Sequence, residues 1–227
     1  MRSNIKRLLS IAACTFVVAL SGCSTTPDTR SETAERVRAA QETLTNFRND
    51  PEMRWFKDHF KNARAVLISP RITRAGFVFG GSGGEALVLA RDKGGRWVGP
   101  AFYNMGAGSV GFQIGVDVSE VVILVMSEKA LNALLSSSFK VGGDASIAAG
   151  PVGMGAASDV TTDMVSFARS KGVYAGLSLE GTVIRPDEGA NSAFYGTSAS
   201  AVDILVRGTV SNPSAAALQQ SVRQMAR

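Results

Sequence analysis

Ser82 sits in Gly80-Gly-Ser-Gly-Gly84, a literal G-x-S-x-G. That spacing suits a nucleophile elbow, where a strained strand-to-helix turn presents the serine hydroxyl to an acyl substrate. The chemistry needs a histidine to take the serine proton and an acid to orient that histidine. The chain has one histidine, His59, and it lies upstream in an aromatic-rich segment. Hydrolases with this elbow place the histidine last. No S-x-x-K sets a lysine one turn from Ser82. The pentad is therefore read as a glycine-rich turn before a strand.

Two other chemistries fail on the same kind of test. Gly106-Ala-Gly-Ser-Val-Gly111 matches G-x-G-x-x-G, but a dinucleotide fingerprint must follow a strand and open a helix. Here period-two alternation follows, and Ala101 to Met105 makes a poor buried parallel strand. Gly80 to Gly84 lacks the Gly-Lys-Ser/Thr ending of a phosphate loop. Asp159, Asp163, Asp187 and Glu188 are scattered without calcium-loop spacing, and a lone histidine gives zinc little to bind. No catalytic residue, metal or cofactor is expected.

Cys23 has a different chemistry. Arg2, Lys6 and Arg7 precede an apolar run from Leu8 to Leu20, too short to be a permanent span. Leu20-Ser-Gly-Cys23 then resembles a bacterial lipobox. The resemblance implies a signal peptide over 1–22, a diacylglycerol thioether on Cys23, a small polar tether over 23–30 and a single domain over 31–227. Ser24 implies sorting to the outer membrane, facing the periplasm. Cys14 leaves with the leader, so the mature chain has no thiol. Losing Arg2, Lys6 and Arg7 takes the formal charge from +5 to +2. The basic balance is then partly a targeting feature and no argument for nucleic acid.

The elements follow from period and punctuation. Thr29-Arg-Ser-Glu32 predicts a capping box, followed by a helix with Val37, Ala40, Leu44 and Phe47 on one stripe. Asp50-Pro51 predicts a restart, with the second helix running to about Arg64. Ala65 to Ser69 reads as a short strand or helix tail closed by Pro70. From Gly76, short apolar or alternating runs separated by glycines predict strands at 77–79, 86–90, 110–118, 121–126, 139–149, 163–169 and 173–184. Ser127 caps a helix to about Leu135. Thr197 to Val206 is a helix candidate, and Asn212-Pro213 opens a last one. The fold class is α+β: a curled or barrel-like antiparallel sheet flanked by N-terminal and C-terminal helices.

The second helix stands out. At 100° per residue, Arg54, Lys57, Lys61 and Arg64 fall within an arc of about 80°. Trp55, Phe56, His59 and Phe60 occupy the opposite side. From Arg48 to Arg74 there are seven basic and three acidic residues. Cations at phosphates and rings at acyl depth are the composition of an interfacial helix. An amphipathic helix packed by its rings on the sheet, with a solvated basic face, has the same composition. Both fit if only the cations meet headgroups. Arg71 and Arg74 are second-rank contacts.

From Phe77 to Tyr195 the chain also resembles a known family. Six blocks carry the likeness: Phe79 to Gly84, Leu87 to Gly95, Trp97 to Phe102, Gly106 to Gly115, Asp144 to Gly153 and Ser170 to Gly181. Their order and spacing are similar to the SYLF domain. The resemblance implies a non-enzymatic, phospholipid-binding module, described as actin-binding in some eukaryotic members, with an amphipathic basic segment near its N-terminus. Actin and phosphoinositides do not carry over to a bacterial envelope. The expected function is an outer-membrane lipoprotein binding anionic phospholipid. The competing expectation is a protein-binding or structural envelope module tethered by its lipid.

Overall fold

A computed structural model describes residues 28–76, 79–110, 115–153, 161–170, 173–174 and 178–227. The leader and Cys23 lie outside the described residues. So do Phe112, Ile114 and 175–177 of the expected strands, and Asp159. Thr29 and Glu32 form the expected reciprocal cap: the Glu32 amide donates to Thr29 Oγ1 at 3.2 Å, and the Thr29 amide donates to Glu32 Oε2 at 2.8 Å. Helix α1 (Arg30–Asn49) follows, and Val37, Ala40, Leu44 and Phe47 are all buried. Asp50 caps a 3-10 turn opened by Pro51, which leads into α2 (Arg54–His59) and a second 3-10 turn at Phe60–Asn62. Helical structure thus ends short of Arg64, because Ala63 turns to extended backbone and donates back to the Phe60 carbonyl.

Strand grammar begins at Ala65, not Gly76. Strands β1 (Ala65–Gly76), β2 (Phe79–Arg91), β3 (Trp97–Val110) and β4 (Gly115–Val125) are long and antiparallel. β1 runs straight through Pro70, which the sequence reading took as a stop. The ladder shifts register on both sides of Ser69 and Pro70, so the missing proline N–H falls in a bulge. Gly80 to Gly84 is not a turn before a strand. It lies inside β2, with Ser82 opposite Arg74 on one side and Ala107 on the other. Gly84 is required there because a Cβ would collide with the Arg71 carbonyl. Gly106 to Gly108 pairs with Gly83 to Gly81 in mid-sheet, and Ala101 to Met105 belongs to the same strand, with all but Asn104 buried.

The remaining strands are β5 (Phe139–Lys140), β6 (Ile147–Ala149), β7 (Met164–Ser170), β8 (Val173–Tyr174) and β9 (Val183–Pro186). Their order is β5-β9-β3-β2-β1-β4-β7-β6, with β8 on β7. The sheet curls because its edges, β5 and β6, are neighbours in sequence, joined by a Val141–Ala145 bridge. The β6–β7 pair is parallel, so the sheet is mixed where an antiparallel one was expected.

The runs Ala65 to Ile68, Ala86 to Ala90 and Val121 to Val125 do not alternate because both sheet faces are covered. On one face, Leu67, Val88 and Ile123 meet α3 (Glu128–Leu134), capped by Ser127, and a π-helical turn at Asp203–Arg207. On the other, Val66, Leu87, Val122 and Leu124 meet α1, α2, α4 (Glu188–Tyr195) and α5 (Ala216–Met225). The helix expected at Thr197 to Val206 is present from Ala201, running into the π turn, and α4, which the sequence reading did not anticipate, precedes it and closes at Gly196, with φ +71°. Asn212 and Pro213 open the path to α5 as expected. β3 gains its β9 partner only from Tyr103. Before that, side chains serve it: Phe102 N–H donates to Asn191 Oδ1 at 2.8 Å, and Tyr195 and Gln219 donate to the Pro100 and Gly99 carbonyls. The architecture is α+β, a curled sheet between N- and C-terminal helices.

Candidate functional site

A six-residue helix such as α2 has no stability of its own in water. Its rings hold it in place. Trp55, Phe56 and Phe60 are 5%, 0% and 0% exposed. Phe56 lies 5.9 Å from Phe47, 5.5 Å from Phe60 and 5.2 Å from Phe167, the last two edge-on. Phe60 reaches Trp97 at 5.9 Å. Such pairs add about 0.5–1.5 kcal/mol each beyond area burial. The rings therefore support packing, the second of the two roles the sequence allowed. They offer no surface for insertion in this conformation.

The cations remain outside. Arg54 has its side chain 73% exposed and makes only a 3.9 Å approach to Asp58. Lys57 donates to the Asp50 carbonyl at 3.0 Å, fastening α2 to the end of α1. Lys61 stands on the 3-10 turn, exposed, with no carboxylate in ion-pair range among the described residues. Arg64 lies beyond that turn, half exposed, paired with Glu128 of α3. The expected row is thus carried by a helix, a 3-10 turn and a bend. Arg71 and Arg74 do not join it. They sit 7 and 10 residues past Arg64, roughly 23 and 33 Å along β1. Arg74 there faces Asp117, whose carboxyl is held below its usual range chiefly by the Ser170 and Ser119 hydroxyls, with Arg74 adding to them.

Sequence reasoning missed Arg91, Lys93 and Arg96. The Arg91 guanidinium donates from Nε to the Ala63 carbonyl at 3.1 Å, from Nη2 to Lys61 at 3.0 Å and from Nη1 to Gly95 at 3.4 Å. It also lies 4.8 Å over the Trp97 ring. One side chain thereby staples the end of α2 to the β2–β3 turn. Asp92 shapes that turn by accepting from the Gly94 and Arg96 amides and from Arg96 Nε, at 2.8, 2.9 and 2.9 Å. These bonds, led by the Arg96 amide, hold its carboxyl below the usual range. Lys93 and Arg96 are left exposed on the turn that Arg91 ties to the Lys61 and Ala63 carbonyls. Three cations around Asp92-x-Gly-Gly were visible in the sequence. Their neighbours were not, because the link is the Ala65–Ala90 register of β1 and β2.

Ser82 and His59 are not brought together. Ser82 lies 9 residues before Arg91 on β2, roughly 30 Å of strand from the α2 end. His59 stacks on Trp55 at 3.9 Å, with Nδ1 2.9 Å from the Trp55 carbonyl. Among the described residues no helix is long and apolar enough to cross a membrane.

Fold and surface define a class first: an α+β domain with a helix-covered, curled sheet and a basic end whose rings are all buried. The chain belongs to the Ysc84 family, the SYLF family that its sequence blocks resemble. The family model, described as "Ysc84: Las17-binding protein actin regulator", matches residues 106–225. The α2 cations and the β2–β3 turn precede that segment. SH3 domain-containing YSC84-like protein 1 of Xenopus laevis is 31% identical over 173 residues, covering 74% of this chain and 51% of the relative. Protein YSC84 of Saccharomyces cerevisiae is 35% identical, covering 69% and 34%. LAS seventeen-binding protein 3 of the same yeast is 30% identical, covering 65% and 34%. The chain spans between a third and a half of the length of these relatives. The last of these names, like the description of the family model, speaks of binding.

Proposed function

We propose that this chain is a non-enzymatic bacterial lipoprotein, held at the periplasmic side of the outer membrane by acylated Cys23, and that its domain binds anionic phospholipid headgroups. The observation that carries the reading is the division of labour in α2: its rings are consumed by the core, and Arg54, Lys57 and Lys61 stay on the surface. What is left to contact a partner is charge. A flat polyanionic surface fits that chemistry. Single-stranded nucleic acid fits less well, because its bases need exposed rings for stacking. Each cation near an anionic bilayer contributes on the order of 1 kcal/mol.

Arg54 and Lys61 are the pair to reverse, because neither touches the core. Arg54→Glu with Lys61→Glu, in the acyl-free chain 24–227, removes about 2 kcal/mol of attraction and adds the repulsion of two carboxylates, a loss of at least roughly 30-fold in partitioning onto phosphatidylglycerol vesicles. Co-sedimentation of the variant equal to that of the parent chain at low salt removes the assignment. A protein-binding role in the envelope is the second reading, favoured by relatives named for binding Las17. A parent chain that ignores anionic vesicles yet crosslinks to one dominant envelope protein supports that role instead.

A further inference from the structure

We propose that the β2–β3 turn forms the second half of the membrane footprint, with Lys93 and Arg96 as headgroup contacts and Arg91 as the residue that positions them. The inference rests on the membrane reading above and extends it to a segment distant in sequence. Three observations carry it. Arg91 spends its donors on the carbonyls of Lys61, Ala63 and Gly95, so the turn and the end of α2 are one rigid unit. Asp92, the only carboxylate of the turn, is occupied by two amides and Arg96 Nε. Its charge is directed into the turn, and the Arg96 side chain still stays 83% exposed. Lys93 has no carboxylate in ion-pair range among the described residues and projects from the tip. Lys61, Lys93 and Arg96 then stand on the two segments that Arg91 joins, a surface wider than any single helix face. A planar array of phosphates meets such a surface at several points, where one soluble phosphate meets only one.

The proposal makes Arg91 different in kind from its neighbours. Its guanidinium faces protein carbonyls and the Trp97 ring, so it orients the contacts without being one. Lys93 contacts the ligand without supporting the fold, whereas Arg96 also ties Asp92 into the turn through Nε and Nη2.

The test measures partitioning of the acyl-free chain 24–227, which retains every residue of both hydrophobic cores, onto phosphatidylglycerol/phosphatidylcholine vesicles at two salt concentrations. Lys93→Gln combined with Arg96→Gln is expected to weaken binding roughly 10- to 30-fold at low salt, at about fivefold per cation. The difference shrinks at high salt, where the attraction is screened. Thermal unfolding of Lys93→Gln alone should match the parent chain, and any drop confined to the double variant reports the Arg96–Asp92 pair. Lys93→Gln, a milder change at an exposed tip, should give roughly fivefold. Binding by the double variant equal to that of the parent chain, while Arg54→Glu with Lys61→Glu still loses it, overturns the turn's role and leaves the α2 reading standing. A parent chain that does not bind in dilute buffer overturns both.

Discussion

At the residue scale, Asp163 has the strongest claim on pH dependence. It accepts from Ser127 Oγ at 2.6 Å, from the Ser146 amide at 3.0 Å and from Ser146 Oγ at 2.9 Å, with Lys129 Nζ at 3.5 Å. The Ser127 bond first, then those from Ser146, hold its carboxyl well below the usual carboxylate range. One ionised group thus joins the cap of α3 to the starts of β6 and β7. A carboxyl depressed in the folded state and ordinary in the unfolded chain stabilises the fold fully above the unfolded value, near 3.9. The contribution disappears as pH falls from about 4 towards the folded value. Asp163→Asn should therefore unfold at a lower temperature than the parent at pH 7, and the gap should narrow progressively as pH falls below about 4. Parallel melting-temperature profiles across that window would show that Asp163 carries no linked proton.

At the element scale, the question is what makes α2 a helix. Local propensity does not, at six residues; the ring cluster does. Phe56→Ala removes the ring shared by Phe47, Phe60 and Phe167, and core truncations of this size cost about 3–5 kcal/mol. A denaturant midpoint shifted by less than about 1 kcal/mol equivalent would mean that the helix is held by something else. The same distinction explains what could be read in the sequence. Thr29 with Glu32, Asp50 with Pro51, Ser127, and Asn212 with Pro213 were all legible, because a cap is a bond between near neighbours. Gly80 to Gly84 was not, because a strand of glycines has no alternation to detect, and its partners are residues 72–76 and 105–109. Pro70 misled because a bulge, which only the partner strands define, absorbs it. In the candidate site, the α2 cations were legible from helical period. Lys93 and Arg96 were not placed beside them, because strand register and the Arg91 side chain bring them there.

At the scale of the whole molecule, the proposed tether and footprint would lie at opposite ends of α1. Asp28 is pinned by Arg36, which also holds Glu85 at 2.8 Å, so the chain leaves the domain beside the first turns of α1. Lys57 on the Asp50 carbonyl puts α2 at the other end. α1 has 20 residues, about 30 Å. In the proposed reading, the five-residue step from Cys23 to Asp28 reaches at most about 18 Å. An upright domain would then carry its basic end roughly 30 Å from the bilayer that holds the lipid. Tether and cations engage one membrane only if α1 lies within about 40° of its plane, since the tether covers no more than about three-fifths of the helix length. Asn62, exposed and uncharged beside Lys61, is a suitable reporter. In the acylated protein carrying Asn62→Cys with an environment-sensitive label, headgroup-bound quenchers should reach the label in phosphatidylglycerol vesicles and lose it in phosphatidylcholine vesicles or at high salt. A label that stays equally remote in both, while the acyl-free chain still binds anionic vesicles, would mean that the domain stands upright and presents its basic end to a second surface.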